Sequence, residues 1–484
     1  MRFGVIVYNL GKICLVLGAA MQLPLTFSFV TREEEFVALL ISAFIMLFIG
    51  VAFMTVCRSY SHTSLRYRES FAIATFAWLL AAGLGALPYI LSNTCSVPDA
   101  IFESMSGFTT TGASILPDLE AVPAGILIWR GLTHWLGGMG IVVLLVAMVS
   151  GNSAAKMYKA EAPGNALTEK LAPQSGDMAK ILWITYVGMS VLLMGILMLC
   201  GMNFVDALCH TFGTVSTGGF SSRNASMSAF NDNPAAQWTV IIFMILAGAN
   251  FAYFYLSVVR RRNFFLHSEE FRIYLLIITL ATTAIVLNLL ETDFYAGESL
   301  EYVIRQAAFQ VVTIMTSTGF FSSDYELWPS FCRIVLFCLF FCGGCVGSTS
   351  GSIKVSRLII VVKNCWVSLG KALQPKLISS IKLDKKIVPQ QTINSVMVFV
   401  TIFFFLLGIG SLVLSALGLP PFEALSVSLA SLSNVGPAFE SFGPTCNYIG
   451  IPTLGKFFLA FLMMLGRLEL MTVLVIFTKA FWRK

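Results

Sequence analysis

Residues 98–114 read PDAIFESMSGFTTTGAS, 204–222 read FVDALCHTFGTVSTGGFSS, 304–324 read IRQAAFQVVTIMTSTGFFSSD, and 421–441 read PFEALSVSLASLSNVGPAFES. Each opens with a polar residue followed by alanine: Asp99-Ala100, Asp206-Ala207, Gln306-Ala307 and Glu423-Ala424. Each closes on a turn of small residues that can be anchored on one glycine: Gly112, Gly218, Gly319 and Gly436, separated by 106, 101 and 117 residues. The polar residue stands 13, 12, 13 and 13 positions before that glycine, and the second and third stretches share Ser-Thr-Gly-x-Phe-Ser-Ser outright. Self-similarity at such a period marks one structural unit used four times.

The physics of the unit follows from its length. A stretch of about 12 residues cannot cross a hydrocarbon core that needs roughly 20, so each reads as a re-entrant half-helix. An acid or amide at its start suits a helix N-terminus, and its C-terminal end then carries partial negative charge that favours a cation. The turn that follows needs glycine, because carbonyls aimed at a common axis demand backbone conformations that a Cβ penalises. Irregular backbone at membrane depth is tolerated only inside protein or beside water. Four such turns around one axis make rings of carbonyl oxygens able to replace an ion's hydration shell.

The rest of the chain supports this setting. Of its 484 residues, 57% are hydrophobic and 12% charged, against about 25% charged in soluble domains. Ten apolar segments recur, roughly 3–30, 36–57, 71–91, 124–150, 179–201, 236–259, 272–290, 330–363, 391–417 and 452–478. Each is long enough to span, and the eighth is too long for one span and contains a break. The first is longer than a cleavable signal peptide's apolar region of about 7–15 residues, so Met1 onward is expected to be retained.

Cation bias sets the orientation. Arg58, Arg66 and Arg68, the run Arg260-Arg261-Arg262, eight basic residues between Lys354 and Gln390, and Lys479, Arg483 and Lys484 fall on one side. The acidic stretches, TREEE at 31–35 and the loop 291–329, fall on the other. Ten spans with both termini cytoplasmic satisfy them all. The net charge of +6 is therefore an orientation signal and implies no nucleic acid. The eleven cysteines are scattered through apolar segments, and the single CxxC, Cys342 to Cys345, reads as packing. His62, His134, His210 and His267 have no metal-ligand spacing and read as structural.

Three further runs complete the pattern: WRGLTHWLGGMGIVVL (129–144), CGGCVGSTSGSIKVSR (342–357) and MLGRLEL (464–470). With the four glycine turns and two extra N-terminal spans, they resemble the Trk/Ktr/HKT superfamily of cation transporters over nearly the whole chain, and within it the TrkH/TrkG type. The resemblance implies an all-α integral membrane protein: four pseudo-repeated span–re-entrant pore helix–span units around one pore, plus two N-terminal transmembrane helices. Expected boundaries are 1–69 for those two helices, then 70–160, 161–268, 269–385 with an intramembrane gating loop, and 386–484 for the four units.

The resemblance also implies roles. Gly112, Gly218, Gly319 and Gly436 match the filter glycines, and Thr110, Thr111, Ser216, Thr217, Thr318, Asn434 and Val435 match neighbouring carbonyl donors for K+, the transported ion. In plant relatives, serine at the first filter glycine goes with sodium, so Gly112 favours potassium. The fourth turn, Asn434-Val435-Gly436-Pro437, departs from the Thr-Gly pattern. Gly343, Gly344, Gly347, Ser348, Thr349, Ser350 and Gly351 match a loop that crosses the pore below the filter and gates it. Arg467 matches an electrostatic barrier beside that loop. An arginine inside a span must face protein or water, and an ion pair with Glu469 is the plainer alternative. Lys354 and Arg357 read equally as cytoplasmic anchors or as parts of the gate.

The implied activity is potassium uptake across the cytoplasmic membrane. The alternative is a sodium or weakly selective, symporter-like transporter on the same scaffold. The chain carries no organic-cofactor motif, neither a GxGxxG βαβ unit nor a Walker A loop, so nucleotide control would come from a cytosolic TrkA-type nucleotide-binding ring; a homodimer is also implied. An enzyme would need a nucleophile–base pair or metal set at membrane depth. None is visible, and Thr349 occupies the serine position of a G-x-S-x-G elbow in the run Gly347–Gly351.

Overall fold

The computed structural model describes residues 1–140, 175–259, 265, 267–374 and 380–483, apart from 62 and 64. Among them the protein is helical, with one two-stranded antiparallel hairpin, Lys382–Leu383 with Lys386–Ile387. Apolar side chains cover the outside of the helices as well as the interior: Phe44, Phe48, Leu280, Phe405 and Leu412 are exposed. That inverts the soluble pattern and fits a lipid solvent.

Among the described residues, six helices are long and apolar enough to cross a membrane: Phe3–Thr31, Phe36–Val56, Tyr67–Leu91, Ala179–Leu199, Glu269–Glu291 and Gln390–Ala416. The first two form the N-terminal pair, tied to the third through the Arg2–Glu69 ion pair at 2.7 Å. The other four each lead into a short buried helix: Val97–Phe108, Phe204–Val215, Leu300–Met315 and Pro421–Ser433, of 12, 12, 16 and 13 residues. Each short helix is followed by a turn and a second helix: Ala124–Gly138, Pro234–Ala247, Ser330–Leu339 and Thr453–Arg467.

Three of these last four belong to segments that are broken in the structure, where a break was expected only in the eighth. Segment 236–259 breaks at Gly248-Ala249-Asn250 and resumes as Phe251–Val259. Segment 330–363 is interrupted by a loop over 340–354 before Val355–Leu373. Segment 452–478 bends by 110° between Thr453–Arg467 and Met471–Phe477. Segment 124–150 is helical to Gly138; from 141 it lies outside the described residues, as does the run 260–262.

The breaks hold one another, and that is why they survive. A broken helix leaves backbone groups unpaired, and a lipid-facing site could not satisfy them. Here the Gly248 carbonyl accepts from the Cys345 amide at 2.8 Å, and the Phe251 amide donates to the Gly347 carbonyl at 3.0 Å. The second and third units thus pair break against break. The first and fourth are joined by Arg467, which donates to the Gly137 and Gly138 carbonyls at 2.8 and 2.5 Å, the free end of helix Ala124–Gly138.

Candidate functional site

The four turns share one backbone geometry. Each contains a non-glycine residue in the left-handed region, then a glycine at positive φ two residues later. The pairs are Thr110 (51°) with Gly112 (83°), Thr217 (54°) with Gly219 (78°), Ser317 (53°) with Gly319 (87°), and Asn434 (54°) with Gly436 (96°). The intervening amide always bonds back five residues: Thr111 to Ser106, Gly218 to Gly213, Thr318 to Thr313 and Val435 to Ala430, at 2.7–3.0 Å. The second turn therefore registers on Gly219, one residue beyond the Gly218 anchor expected from sequence. Gly218 takes the place of Thr111, Thr318 and Val435.

These glycines meet the neighbouring turn in a closed order. A Cβ on Gly112 would overlap the Gly218 carbonyl oxygen; on Gly219, that of Thr318; on Gly319, that of Val435; and on Gly436 it would stand 2.5 Å from that of Thr111. The last contact returns to the first turn, so the four turns surround one axis edge to edge. A side chain at any of these positions would push a ring carbonyl aside. The helices behind the turns end at the ring, so their carbonyl ends add partial negative charge there.

Side chains brace the ring from behind. Ser222 donates to Asp206 at 2.5 Å, Ser322 to Gln306 at 2.5 Å, and Ser441 to Glu423 at 2.6 Å. In these three units the polar residue that opens the helix thus clamps the segment leaving its own turn. In the first unit Asp99 instead meets Lys456 at 2.6 Å. Threonine hydroxyls pair within the first and third turns, Thr109 with Thr111 at 2.8 Å and Thr316 with Thr318 at 2.7 Å. The fourth turn has no such hydroxyl pair. Its Asn434 amide donates across to Thr111 Oγ1 at 3.0 Å and to the Met463 carbonyl at 2.9 Å.

On one side of the ring lies a cavity of about 120 Å³ that touches Gly112, Gly219, Gly319 and Pro437, one residue from every turn. Arg223 at its wall is neutralised by Asp206 at 2.8 Å. Asp118, nearby in the loop after the first turn, accepts from the Asn224 side chain at 2.7 Å. That bond, with the Glu120 amide, holds its carboxyl below the usual carboxylate range.

On the other side the 340–354 loop closes against the turns. Thr349 Oγ1 donates to the carbonyls of Val215 and Ala247 at 3.2 and 3.4 Å and accepts from Thr217 Oγ1 at 3.2 Å. The Gly351 amide donates to Ser317 Oγ at 2.5 Å, and a Cβ on Gly351 would overlap the Ser433 carbonyl. Gly343 closes the loop's base, its amide donating to the Ile353 carbonyl at 2.8 Å. The Gly344 amide donates to Ser350 Oγ at 2.8 Å, and Ser348 meets Ser350 at 3.0 Å. Arg467 donates to the Thr349 carbonyl at 2.6 Å. All four units therefore touch this loop, three directly and the first through Arg467.

Residues 39–484 match the TrkH family, described as cation transport proteins. The chain belongs to the TrkH family. It is 33% identical to the Trk system potassium uptake protein TrkH of Escherichia coli strain K12, over 100% of both chains. It is 34% identical to TrkH of Halomonas elongata, again over 100% of both. The crystal structure of the potassium transporter TrkH from Vibrio parahaemolyticus superimposes with a TM-score of 0.90 at 30% identity, covering 100% of each chain. A TrkH-family chain is a transport protein, not an enzyme.

Within this TrkH-type fold the expected site residues fall into two groups that stack on each other. Thr110, Thr111, Gly112, Ser216, Thr217, Gly218, Thr318, Gly319, Asn434, Val435 and Gly436 all lie in the four turns. Gly343 to Gly351 and Arg467 lie in or against the loop. Lys354 is buried and donates to Ser348 and Ser350, and Arg357 pairs with Glu469 while stacking on Phe399 at 4.1 Å. Both are structural members of the loop region, so they do not count as free cytoplasmic cations.

Three residues escaped the sequence reading: Gly219, Ser317 and Glu270. Glu270 is buried and its carboxylate accepts from the Val346 and Ser356 amides at 2.9 and 3.0 Å, tying the middle of the loop to the first turn of the helix that follows it. Gly219 had a signal, since it stands 13 residues after Asp206, the spacing of the other three units. Glu270 had none, being one acid at the start of a long apolar helix. No group of three His, Cys, Asp or Glu side chains among the described residues could hold a metal ion. A cation at this site would meet backbone oxygens.

Proposed function

We propose that this chain carries potassium into the cell through the ring of turns, in a channel-like manner. The closed circuit of glycine-to-carbonyl contacts carries the reading. Four carbonyls, from Thr111, Gly218, Thr318 and Val435, each lie against a glycine of the neighbouring turn, so close that a Cβ would not fit between them. Such a set can take the place of an ion's hydration water. The relatives' names, potassium uptake proteins of a Trk system, supply the ion. Membrane potential, at about 2.3 kcal/mol per charge per 100 mV, drives entry.

The 340–354 loop is the gate in this reading, with Arg467 as the cationic latch that ties it to the first unit. The carbonyls of Gly112, Gly219, Gly319 and Gly436 extend the same pathway toward the cavity. Both termini lie in the cytoplasm, two copies form the working unit, and a TrkA-type nucleotide-binding ring docks on the basic cytoplasmic face and moves the gate.

Flux in liposomes tests this. Purified protein should pass rubidium much faster than sodium, and addition of the cytosolic partner should change the rate without changing the ratio. Equal rubidium and sodium flux, or none of either, overturns it.

A further inference from the structure

The first unit contains an ion pair buried on both sides. Glu103, on the first pore helix, is fully buried, and Arg130, on helix Ala124–Gly138, is 2% exposed; Nε and Oε1 stand 2.6 Å apart. The Glu103 carboxylate also accepts from the Ile115 amide at 2.8 Å and from Ser114 Oγ at 3.1 Å, the strand leaving Gly112. Arg130 donates to the Ser221 carbonyl at 2.9 Å and lies 3.4 Å over the Phe220 ring, the strand leaving Gly219. Phe220 in turn stacks on His134 at 3.9 Å, whose Nδ1 meets the Gly107 carbonyl at 2.6 Å.

The corresponding positions, four residues after the opening polar residue, are His210, Gln310 and Val427. His210 meets Ser221 Oγ at 3.0 Å, and Gln310 donates to the Ser323 carbonyl at 2.9 Å. Each of those stays within its own unit. Of these four positions, only the first belongs to a buried pair of charges that reaches the neighbouring turn, through Arg130 and the Ser221 carbonyl.

We infer that the Glu103–Arg130 pair positions the first and second turns against each other and thereby sets the ion discrimination of the ring. This rests on the reading of the ring as the filter. The corner it holds is the one where Gly112 meets the Gly218 carbonyl. Two charges removed from water persist only while both are present and hydrogen-bonded, so the geometry is all-or-none. The planar guanidinium meets the carboxylate through Nε and the Ser221 carbonyl through Nη1, two donor atoms at a fixed separation that the single nitrogen of an ammonium does not reproduce. Arg130 also lines the cavity beside the ring. Unpaired, its charge would repel an arriving cation; Glu103 cancels it.

Rubidium and sodium influx into liposomes, with the full-length protein, tests both halves. Arg130→Lys keeps the charge pair but loses the fork, so rubidium influx should persist while the rubidium/sodium ratio falls about tenfold, below the full effect of breaking a buried pair. Glu103→Gln leaves the guanidinium uncompensated, so rubidium influx itself should fall about tenfold. Ratio and influx both within about twofold of wild type overturn the inference. So does lowered thermal stability with an unchanged ratio, the behaviour of a merely structural pair. If Glu103→Gln is not monodisperse, Arg130→Lys decides. A wild-type protein that does not discriminate overturns the filter reading; a discriminating wild type with unmoved variants overturns only this inference.

Discussion

The ring of turns and the loop beneath it are both irregular backbone deep inside a helical protein, yet they are held in opposite ways. The ring is held by exclusion. Each glycine abuts a neighbouring carbonyl, the same local geometry recurs in all four units, and buried side chains brace the turns from behind. The loop is held by hydrogen bonds from elsewhere: Glu270 from one helix, Ser317 from a turn, Arg467 from the last helix. Such bonds can be exchanged one at a time, each at a net cost of about 1 kcal/mol, somewhat more where a charge is involved. A selectivity element needs the first kind of support and a gate needs the second.

The largest expected effect is at the ring. Gly219→Ala places a Cβ on the Thr318 carbonyl, in a left-handed conformation that alone costs about 1–2 kcal/mol. Rubidium flux in liposomes should fall to background, or the rubidium/sodium ratio should collapse. Gly218→Ala meets only the His134 ring and should do less. The reverse ranking would return the register to Gly218.

Next comes Arg467→Ala. It removes charged donors from the Thr349, Gly137 and Gly138 carbonyls, at roughly 1.5–3 kcal/mol per bond. Flux without any partner should rise about tenfold, since 1.4 kcal/mol is a factor of ten, with the ion ratio unchanged. A changed ratio would show that ring and loop are not mechanically separate.

Glu270→Gln keeps an acceptor for both amides, which share Oε1, but removes the charge that strengthens the bonds, so flux should rise only a few-fold, about 1 kcal/mol in effect. Thr349→Val is nearly isosteric and removes only neutral hydroxyl bonds. It should raise flux a few-fold at most, about 1 kcal/mol in effect, because the bonds lost are neutral and the Thr217 hydroxyl keeps its bond to the Ser216 carbonyl. An effect of Thr349→Val on the ion ratio would break the comparison.

Parts of this arrangement were legible along the chain. The repeat stood out because a carbonyl ring makes the same local demand four times: a polar start, a short helix, a small residue where Cβ cannot fit. The one error of register has a readable cause. The shared Ser-Thr-Gly-x-Phe-Ser-Ser string aligns Gly218 with Gly319, whereas the spacing from Asp206 selects Gly219. Helix phase, set by the bonds of Gly218 to Gly213 and Thr318 to Thr313, outranks identity of letters. The broken helices were mostly illegible. Apolar residues continue on both sides of Gly248-Ala249-Asn250, and the groups that satisfy that break lie about a hundred residues later, at Cys345 and Gly347.

By itself the sequence determined the solvent, the four units and the chemistry of the turns. Those follow from local rules: hydrophobic length, the helix terminus, and the penalty on Cβ at positive φ. Tertiary structure alone decided which carbonyl each glycine abuts, how the broken helices satisfy one another, and that Glu103 and Arg130 join two units. These are contacts between segments far apart in the chain, and no local preference encodes them. They exist because backbone groups and charges withdrawn from water must find partners wherever the packed fold supplies them.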